Sequence, residues 1–164
     1  MSDNYAVING KRVELTDEQV KTIGIETRKN PFDRVSVNAM YYYIDAVDAI
    51  GSMPEFGDRS DRKSLECANY FNDEAFAKQV SLHQLLYRKL LKFAYDNGYE
   101  DTAAWNGDNC HYYIFYNYSC DTFDIRTDYN SKVQAVYFSS RDGACRAIIE
   151  VIKPFVEEHP DFVW

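Results

Sequence analysis

The most regular pattern of hydrophobic and polar positions lies in the C-terminal third of the chain. Residues 111–117 are dense in the aromatic and β-branched side chains that favour strands. Residues 121–127 alternate between apolar and polar positions, and residues 133–138 again have a strand-forming composition. An apolar helix follows, with Ser139 or Ser140 suited to cap its N-terminus. The pattern therefore predicts three strands and a closing helix.

A long amphipathic helix is predicted over residues 74–96, because apolar side chains recur there at helical spacing. Asn72 or Asp73 is suited to cap its N-terminus, and Gly98 is suited to the left-handed position beyond its C-terminus. The apolar stripe is wide enough for the helix to lie centrally against a sheet. Its members are Phe76, Val80, Leu82, Leu85, Leu86, Leu90, Phe93 and Ala94.

The N-terminal residues predict a small hairpin–helix unit. Residues 5–15 suit a β-hairpin, because Asn9-Gly10 is a preferred pair for a two-residue turn with positive φ. Thr16 and Gln19 then have the spacing of a capping box, which favours a short helix that stops near Gly24.

The region between these two parts is less regular. Residues 39–44 and 49–53 are predicted to form a second hairpin, and residues 34–37 suit another strand. Residues 58–63 are polar throughout and indicate a loop. For residues 64–71 the pattern leaves helix and strand both open.

Together these elements indicate an α+β fold. We expect residues 1–29 to form the hairpin–helix unit and residues 30–164 to form the main domain. In that domain the strands within 39–53 and 111–138 would build one antiparallel or mixed sheet, with the two main helices packed on it. The apolar residues 162–164 are expected to dock on the domain or on a partner.

Length and composition are those of a globular protein of 164 residues. No apolar run is long enough to span a bilayer, and the first residues lack the regions of a signal peptide. We therefore expect a soluble, cytoplasmic protein. The four cysteines form no C-x-x-C pair, which argues against a zinc ribbon, and a reducing compartment favours free thiols over a Cys110–Cys120 bond.

The acidic side chains are concentrated in the C-terminal part of the chain. The net charge is −8, and residues 95–164 hold 12 acidic and 5 basic side chains. This balance argues against direct nucleic-acid binding and suits a basic protein surface, although acidity can also serve only solubility. Within this acidic region Trp105 is either a partner anchor or a side chain that pins its loop to the core. The candidate partner-binding residues are Asp96, Glu100, Asp101, Trp105, Asp108, Asp121, Asp124 and Asp128.

The sequence contains none of the common catalytic or nucleotide-binding motifs. The P-loop, G-x-G-x-x-G, H-E-x-x-H and G-x-S-x-G patterns are all missing, and the three histidines are far apart. We therefore assign no catalytic residue, no metal and no cofactor. An enzyme or nucleotide-binding protein is the alternative, with Arg59, Arg62 or Arg126 as phosphate ligands or with carboxylates that converge on a metal.

Several short pieces of the chain form a recognisable set. They are Asn30-Pro-Phe32 with Arg34-Val35, Tyr41-Tyr-Tyr-Ile-Asp45, Gly57-Asp58, Ala68-Asn-Tyr-Phe71, the tail from Pro154-Phe155 to Glu158-His-Pro-Asp-Phe-Val-Trp164, and Asn9-Gly-Lys with Leu15-Thr-Asp-Glu-Gln19. With these pieces the chain resembles a family of small proteins encoded by phages and prophages of gut Firmicutes. The pieces span most of the chain and are structural, so the resemblance implies provenance and no particular activity.

The sequence thus leads to one functional expectation and two alternatives. The expectation is a phage-encoded protein that inhibits a host defence protein, as anti-CRISPR proteins do. An acidic, tyrosine-rich surface would cover a basic nucleic-acid-binding channel on a host enzyme. The alternatives are a nucleotide-binding protein or metal-dependent nuclease, and an oligomeric virion or replication accessory protein.

Overall fold

The computed structural model describes residues 5–8, 11–22 and 30–164. Its elements combine short antiparallel sheets with helices, which confirms the α+β fold. In chain order they are β1 (Tyr5–Ile8), β2 (Lys11–Glu14), α1 (Asp17–Thr22), β3 (Met40–Ile44), β4 (Ile50–Pro54), α2 (Arg59–Glu66), α3 (Glu74–Asp96), β5 (His111–Asn117), β6 (Thr122–Asp128), β7 (Tyr137–Phe138), α4 (Arg141–Ala147), a π-helical turn (Ile148–Ile152) and α5 (Lys153–Glu158).

The N-terminal hairpin and its helix form as predicted. β1 and β2 pair antiparallel, and Ile8 lies opposite Lys11 at the closed end. The capping box is confirmed: the Thr16 N–H donates to Gln19 Oε1 at 2.9 Å, and the Gln19 N–H donates to Thr16 Oγ1 at 3.3 Å. The Asn9-Gly10 turn, the stop at Gly24 and the boundary between residues 29 and 30 lie outside the described residues, so they stay predictions.

The second hairpin is also confirmed, with β3 paired antiparallel to β4. The strand predicted at residues 34–37 is wrong, because this segment makes side-chain and turn contacts instead of a ladder. The Val35 N–H donates to the Tyr70 hydroxyl at 3.2 Å. The Asn38 N–H donates to the Glu55 carbonyl at 2.8 Å, and Asn38 has a positive φ of 68°. The segment therefore crosses the end of β4 as an irregular loop.

The polar loop predicted at residues 58–63 is in fact most of α2. Asp58 Oδ1 accepts hydrogen bonds from the N–H groups of Ser60 and Asp61, at 2.7 and 3.0 Å. Asp61 Oδ2 in return accepts from the Asp58 N–H at 3.1 Å, which completes a capping box. This helix has almost no apolar stripe, so its periodicity gave no signal. Its only sequence signal is the spacing between the two aspartates.

The long helix α3 is confirmed at both ends. Asp73 caps its first turn by accepting from the Phe76 N–H at 2.9 Å, and Gly98 has the left-handed φ of 79° beyond its last turn. α3 packs against β3 and β4 on one side and against β7, α4 and the π-helical turn on the other. It is therefore the central element that joins the two halves of the main domain.

The single sheet predicted for the main domain is wrong. β3 and β4 form a two-stranded sheet, and a separate three-stranded antiparallel sheet has the order β6-β5-β7. The strand predicted at residues 133–138 is also too long, because only Tyr137 and Phe138 pair with β5. The Tyr137 hydroxyl accepts from the Val133 N–H at 2.8 Å and donates to its carbonyl at 3.1 Å. These bonds hold residues 133–136 in a bend and out of the sheet.

The C-terminal helix and tail follow the prediction closely. Ser140 caps α4 by accepting from the Gly143 N–H at 3.0 Å. A π-helical turn precedes Pro154, so α5 begins around the residue that cannot continue the earlier hydrogen-bond pattern. The docking of the tail on the domain is confirmed, because Phe162 and Trp164 pack on the core. The centre of that core is formed by Leu82, Leu86, Leu90, Ala94, Val136, Tyr137, Phe138, Ala144, Ala147, Ile152 and Phe155.

Candidate functional site

Three of the seven candidate acidic residues have their charge or hydrogen-bonding capacity used within the chain. Asp101 lies 2.7 Å from Lys132 Nζ, and the hydrogen bond from this ammonium lowers the pKa of Asp101. Asp96 forms an ion pair with Lys92 one turn earlier on α3. Asp128 Oδ1 accepts backbone N–H groups, which lower the pKa of that carboxyl. Those donors are Tyr129, Asn130 and Ser131, at 2.8, 3.0 and 2.9 Å.

The other four acidic residues contact only neutral partners or solvent. Among the residues that the structure describes, no ion pair involves Glu100, Asp108, Asp121 or Asp124. The neutral contacts of the last three are to the side chains of Asn106, Tyr116 and Asn117. These four carboxylates therefore keep most of their negative charge available to a partner.

The structure separates the candidate residues into two groups on the three-stranded sheet. In the β5–β6 register Asp128 lies opposite His111, whereas Asp124 lies opposite Phe115. Asp101 and Asp128 both lie close enough to His111 to interact with it electrostatically. Asp124 lies four residues further along the sheet, roughly 13 Å away at the usual rise per residue. The candidate residues therefore do not form one continuous acidic patch.

Trp105 pins its loop to the core, which is one of the two roles the sequence left open. Its indole stacks on His111 with ring centroids 3.6 Å apart and planes inclined by 7°. Its edge also meets Tyr137 at 5.1 Å, and Lys132 Nζ lies over the ring at 6.0 Å. His111 beneath it is only 4% exposed. The indole is half-buried, so part of its surface is exposed to solvent.

The turn between β5 and β6 carries the second acidic group, and residues 117–124 are called the hairpin tip below. Tyr118 is 72% exposed, the highest value among the tyrosines that the structure describes. Its hydroxyl contacts the Trp164 carbonyl oxygen, while the Tyr116 hydroxyl contacts the Asp121 carboxylate and so has a raised pKa. The hairpin tip therefore presents exposed aromatic surface directly beside two carboxylates.

An apolar groove lies where residues 133–136 turn away from β5, and it is called the edge groove below. Its volume is about 410 Å³. Leu86, Tyr87 and Leu90 of α3 form one wall, and Ile114 and Phe115 of β5 form the opposite wall. The rest of the lining comes from the bent segment, His83, Tyr113, Phe138 and Trp164. The sequence does not indicate this groove, because residues 133–138 have continuous strand composition although only Tyr137 and Phe138 form a strand.

One edge of β5 remains open beside this groove. β6 pairs with all seven residues of β5, but β7 pairs only with Tyr112 and Tyr113. Within the described ranges no strand or bridge pairs with the outer edge of residues 114–117. The backbone groups that point outward there are therefore available to a further strand.

A second arrangement, which was not predicted from the sequence, is buried around Glu55, directly after β4. Glu55 is 0% exposed, and its Oε1 accepts from Arg34 Nη2 and from the Gly57 N–H, both at 2.7 Å. Its Oε2 accepts from the Tyr70 hydroxyl at 2.7 Å. The hydrogen bond from Arg34 is the main cause of a lowered pKa at Glu55. A lone glutamate between apolar neighbours, after β4, is the sequence signal for this site.

Asp61 lies beside Glu55 and is equally enclosed. Burial raises its pKa, but the hydrogen bonds that it accepts, which include those from the N–H groups of Phe56 and Asp58 at 2.8 and 3.1 Å, together bring it below its ordinary value. The Tyr41 hydroxyl completes its shell at 3.1 Å. Every oxygen of these two carboxylates has a donor from the chain, so the pair fixes the loop between β4 and α2. The two carboxylates therefore have a structural role, and none of their oxygens is left without a donor for a substrate to use.

The three arginines proposed as phosphate ligands do not lie in one site. Arg59 and Arg62 lie on α2, whereas Arg126 lies on β6 and stacks over Phe115 at 4.1 Å. Across the described parts of the chain, no group of three or more potential ligands is arranged to hold a metal ion. The four cysteines are free thiols, as predicted.

Comparisons with known proteins give no match. No family model, no curated protein and no solved structure is similar to the chain. In the described ranges no helix is both long enough and apolar enough to cross a membrane.

Proposed function

We propose that this chain is a partner-binding protein that covers a basic surface of a host protein, as an anti-defence inhibitor would. The observation that supports the proposal is a set of four carboxylates that form no ion pair with any residue that the structure describes, namely Glu100, Asp108, Asp121 and Asp124. An unpaired carboxylate attracts a lysine- or arginine-rich surface over a distance of about one Debye length.

The hairpin tip is the part of the acidic surface best suited to such a contact. Tyr118 supplies rigid aromatic area there, and aromatic side chains are enriched at the centres of interfaces. Asp121 and Asp124 flank it and can form charge-assisted hydrogen bonds with basic side chains. A basic channel that binds nucleic acid is a suitable target, because carboxylates on a sheet can occupy the positions of phosphates.

Charge reversal at the hairpin tip tests this proposal. The variants are Asp121→Lys/Asp124→Lys and, as a control with the same change in net charge, Glu66→Lys/Glu157→Lys. Both control residues are exposed near the C-terminal ends of α2 and α5, where lysine is favourable. Each tagged protein is incubated with a nuclease-treated extract of a Firmicutes host, and the retained proteins are quantified at low and high salt.

We expect the unmodified protein and the control to retain one partner whose recovery falls with salt. The hairpin-tip variant should lose at least about tenfold of that recovery, which corresponds to roughly 1.4 kcal/mol. Expression in a host with an active CRISPR system should also raise phage plating, and the hairpin-tip variant should not. Equal recovery and equal plating for both double variants would contradict the proposal.

A further inference from the structure

We propose that the edge groove binds an extended segment of a partner protein, which adds as a strand to the open edge of β5. The segment we infer is apolar at alternate positions and carries basic side chains at the end nearest the hairpin tip. The strand addition rests on the sheet edge and the groove, whereas the basic flank rests on Asp121 and Asp124 and therefore on the proposed function.

The unpaired edge of β5 is the first feature that favours an added strand. β5 is paired over its full length on one side and over two residues on the other, so residues 114–117 offer an unfinished ladder. A sheet edge of this kind binds extended peptides through main-chain hydrogen bonds. This edge is open because the Tyr137 hydroxyl binds both backbone polar groups of Val133 and so holds that residue in the bend.

The walls of the groove determine which side chains such a segment would carry. Leu86 and Leu90 of α3 and Ile114 of β5 are apolar, and Tyr87 adds aromatic area. Successive side chains of a strand point to opposite faces, so alternate residues of an added strand would enter the groove. A volume of about 410 Å³ accommodates a few aliphatic side chains, which suits a short segment.

The carboxylates near the groove indicate which side chains the segment would carry at its end. Asp121 lies in the turn that follows the open edge, and Asp124 lies opposite Phe115 on β6, which pairs with the other side of β5. Neither carboxylate forms an ion pair within the described residues. Arg126 is stacked on Phe115, so its charge lies over the ring rather than on either carboxylate. Lysine or arginine at the hairpin-tip end of a bound strand would therefore be favoured.

The test uses a fluorescent peptide of about eight residues, which is within the usual length of a strand, with alternating valine and threonine and two lysines at one end. A second peptide of the same charge has proline at alternate positions and cannot complete a ladder. Binding to the full chain is measured by fluorescence anisotropy. Amide hydrogen exchange then shows whether residues 114–117 become protected.

Two tryptophan substitutions give a matched pair of variants. Gln134 is exposed and lines the groove, so Gln134→Trp should fill it without disturbing the core. Ser131 is exposed in the same connection but does not line the groove, so Ser131→Trp is the control. Circular dichroism confirms that both variants are folded.

We expect the alternating peptide to bind in the micromolar range, to protect residues 114–117 and to bind Gln134→Trp about tenfold more weakly than Ser131→Trp. Equal binding of the proline peptide would overturn the inference, because the contact would then not involve a ladder. It is also overturned if neither peptide binds, and binding of an apolar dye in that case would identify the groove as a small-molecule site.

Discussion

Tyr70 donates its hydroxyl to Glu55 Oε2 at 2.7 Å, and this bond links two fully enclosed side chains from separate segments of the chain. Replacing Tyr70 with Phe leaves that oxygen buried without a donor. An unsatisfied buried acceptor costs about 1–3 kcal/mol, so the urea midpoint of Tyr70→Phe should fall. Tyr42→Phe is the control, because no partner for its hydroxyl is found in the described structure and its midpoint should be unchanged. Equal midpoints for both variants would contradict the structural role of this bond.

The stability of the domain should decrease in acid. The pKa of Glu55 and that of Asp61 lie below their ordinary values of 4.5 and 3.8 in the folded chain. A lowered folded-state pKa contributes stability that is complete above the unfolded-state pKa and is lost as pH falls through the folded one. Urea midpoints should therefore hold down to about pH 4.5 and then decline. Glu55→Gln should be less stable at neutral pH and less sensitive to acid; an unchanged acid dependence in that variant would refute the assignment.

Two tyrosines should resist ionisation in alkali. Burial is the main cause that raises the pKa values of Tyr70 and Tyr99 to about 12, from an ordinary value of 10.0. A raised folded-state pKa contributes stability that is complete below the unfolded-state pKa and is lost as pH rises through the folded one. The ultraviolet titration of the folded protein should therefore show two tyrosines that ionise late, and stability should decline between about pH 10 and 12. Full ionisation of every tyrosine near 10 would contradict this enclosure.

The elements that could be predicted from the sequence are those in which local signals agree. For α3, the apolar spacing, the Asp73 cap and Gly98 all indicate the same boundaries, and the structure has them. α2 was not predicted because Leu65 is its only apolar residue and its cap uses aspartate at both capping-box positions. Asp61 is also buried, and periodicity does not detect this tertiary contact.

The candidate site shows the same division between local and long-range determinants. Composition indicates an acidic C-terminal half, but it does not predict which carboxylates are neutralised, because Asp101 depends on Lys132 thirty-one positions away. The edge groove depends on one hydroxyl, that of Tyr137, which bends a segment with strand composition. The contacts of α3 with both sheets likewise depend on tertiary packing, which no local sequence pattern encodes.

Two helices end in the same motif but with different residues at the left-handed position. Beyond α2, Ala68 has φ 52° and its N–H bonds to the Leu65 carbonyl, and beyond α3, Gly98 has φ 79° and its N–H bonds to the Tyr95 carbonyl. A side chain is strained in this conformation by about 1 kcal/mol. Ala68→Gly should therefore raise the free energy of unfolding, and Gly98→Ala should lower it, each by about 1 kcal/mol. Chemical denaturation measures both, and a change of the same sign in the two variants would contradict the argument.

Trp105 provides a test that separates its packing role from partner binding. Trp105→Ala removes the ring that stacks on His111, so the loop of residues 99–110 should open and the free energy of unfolding should fall by about 2 kcal/mol, less than for a fully buried ring. Limited proteolysis should then cut within this loop, while Trp105→Phe, which keeps an aromatic ring on His111, should resist cleavage. If Trp105→Ala leaves stability and proteolysis unchanged and weakens only the retention of a partner, then the indole serves as an anchor and the stacking on His111 contributes little to the fold.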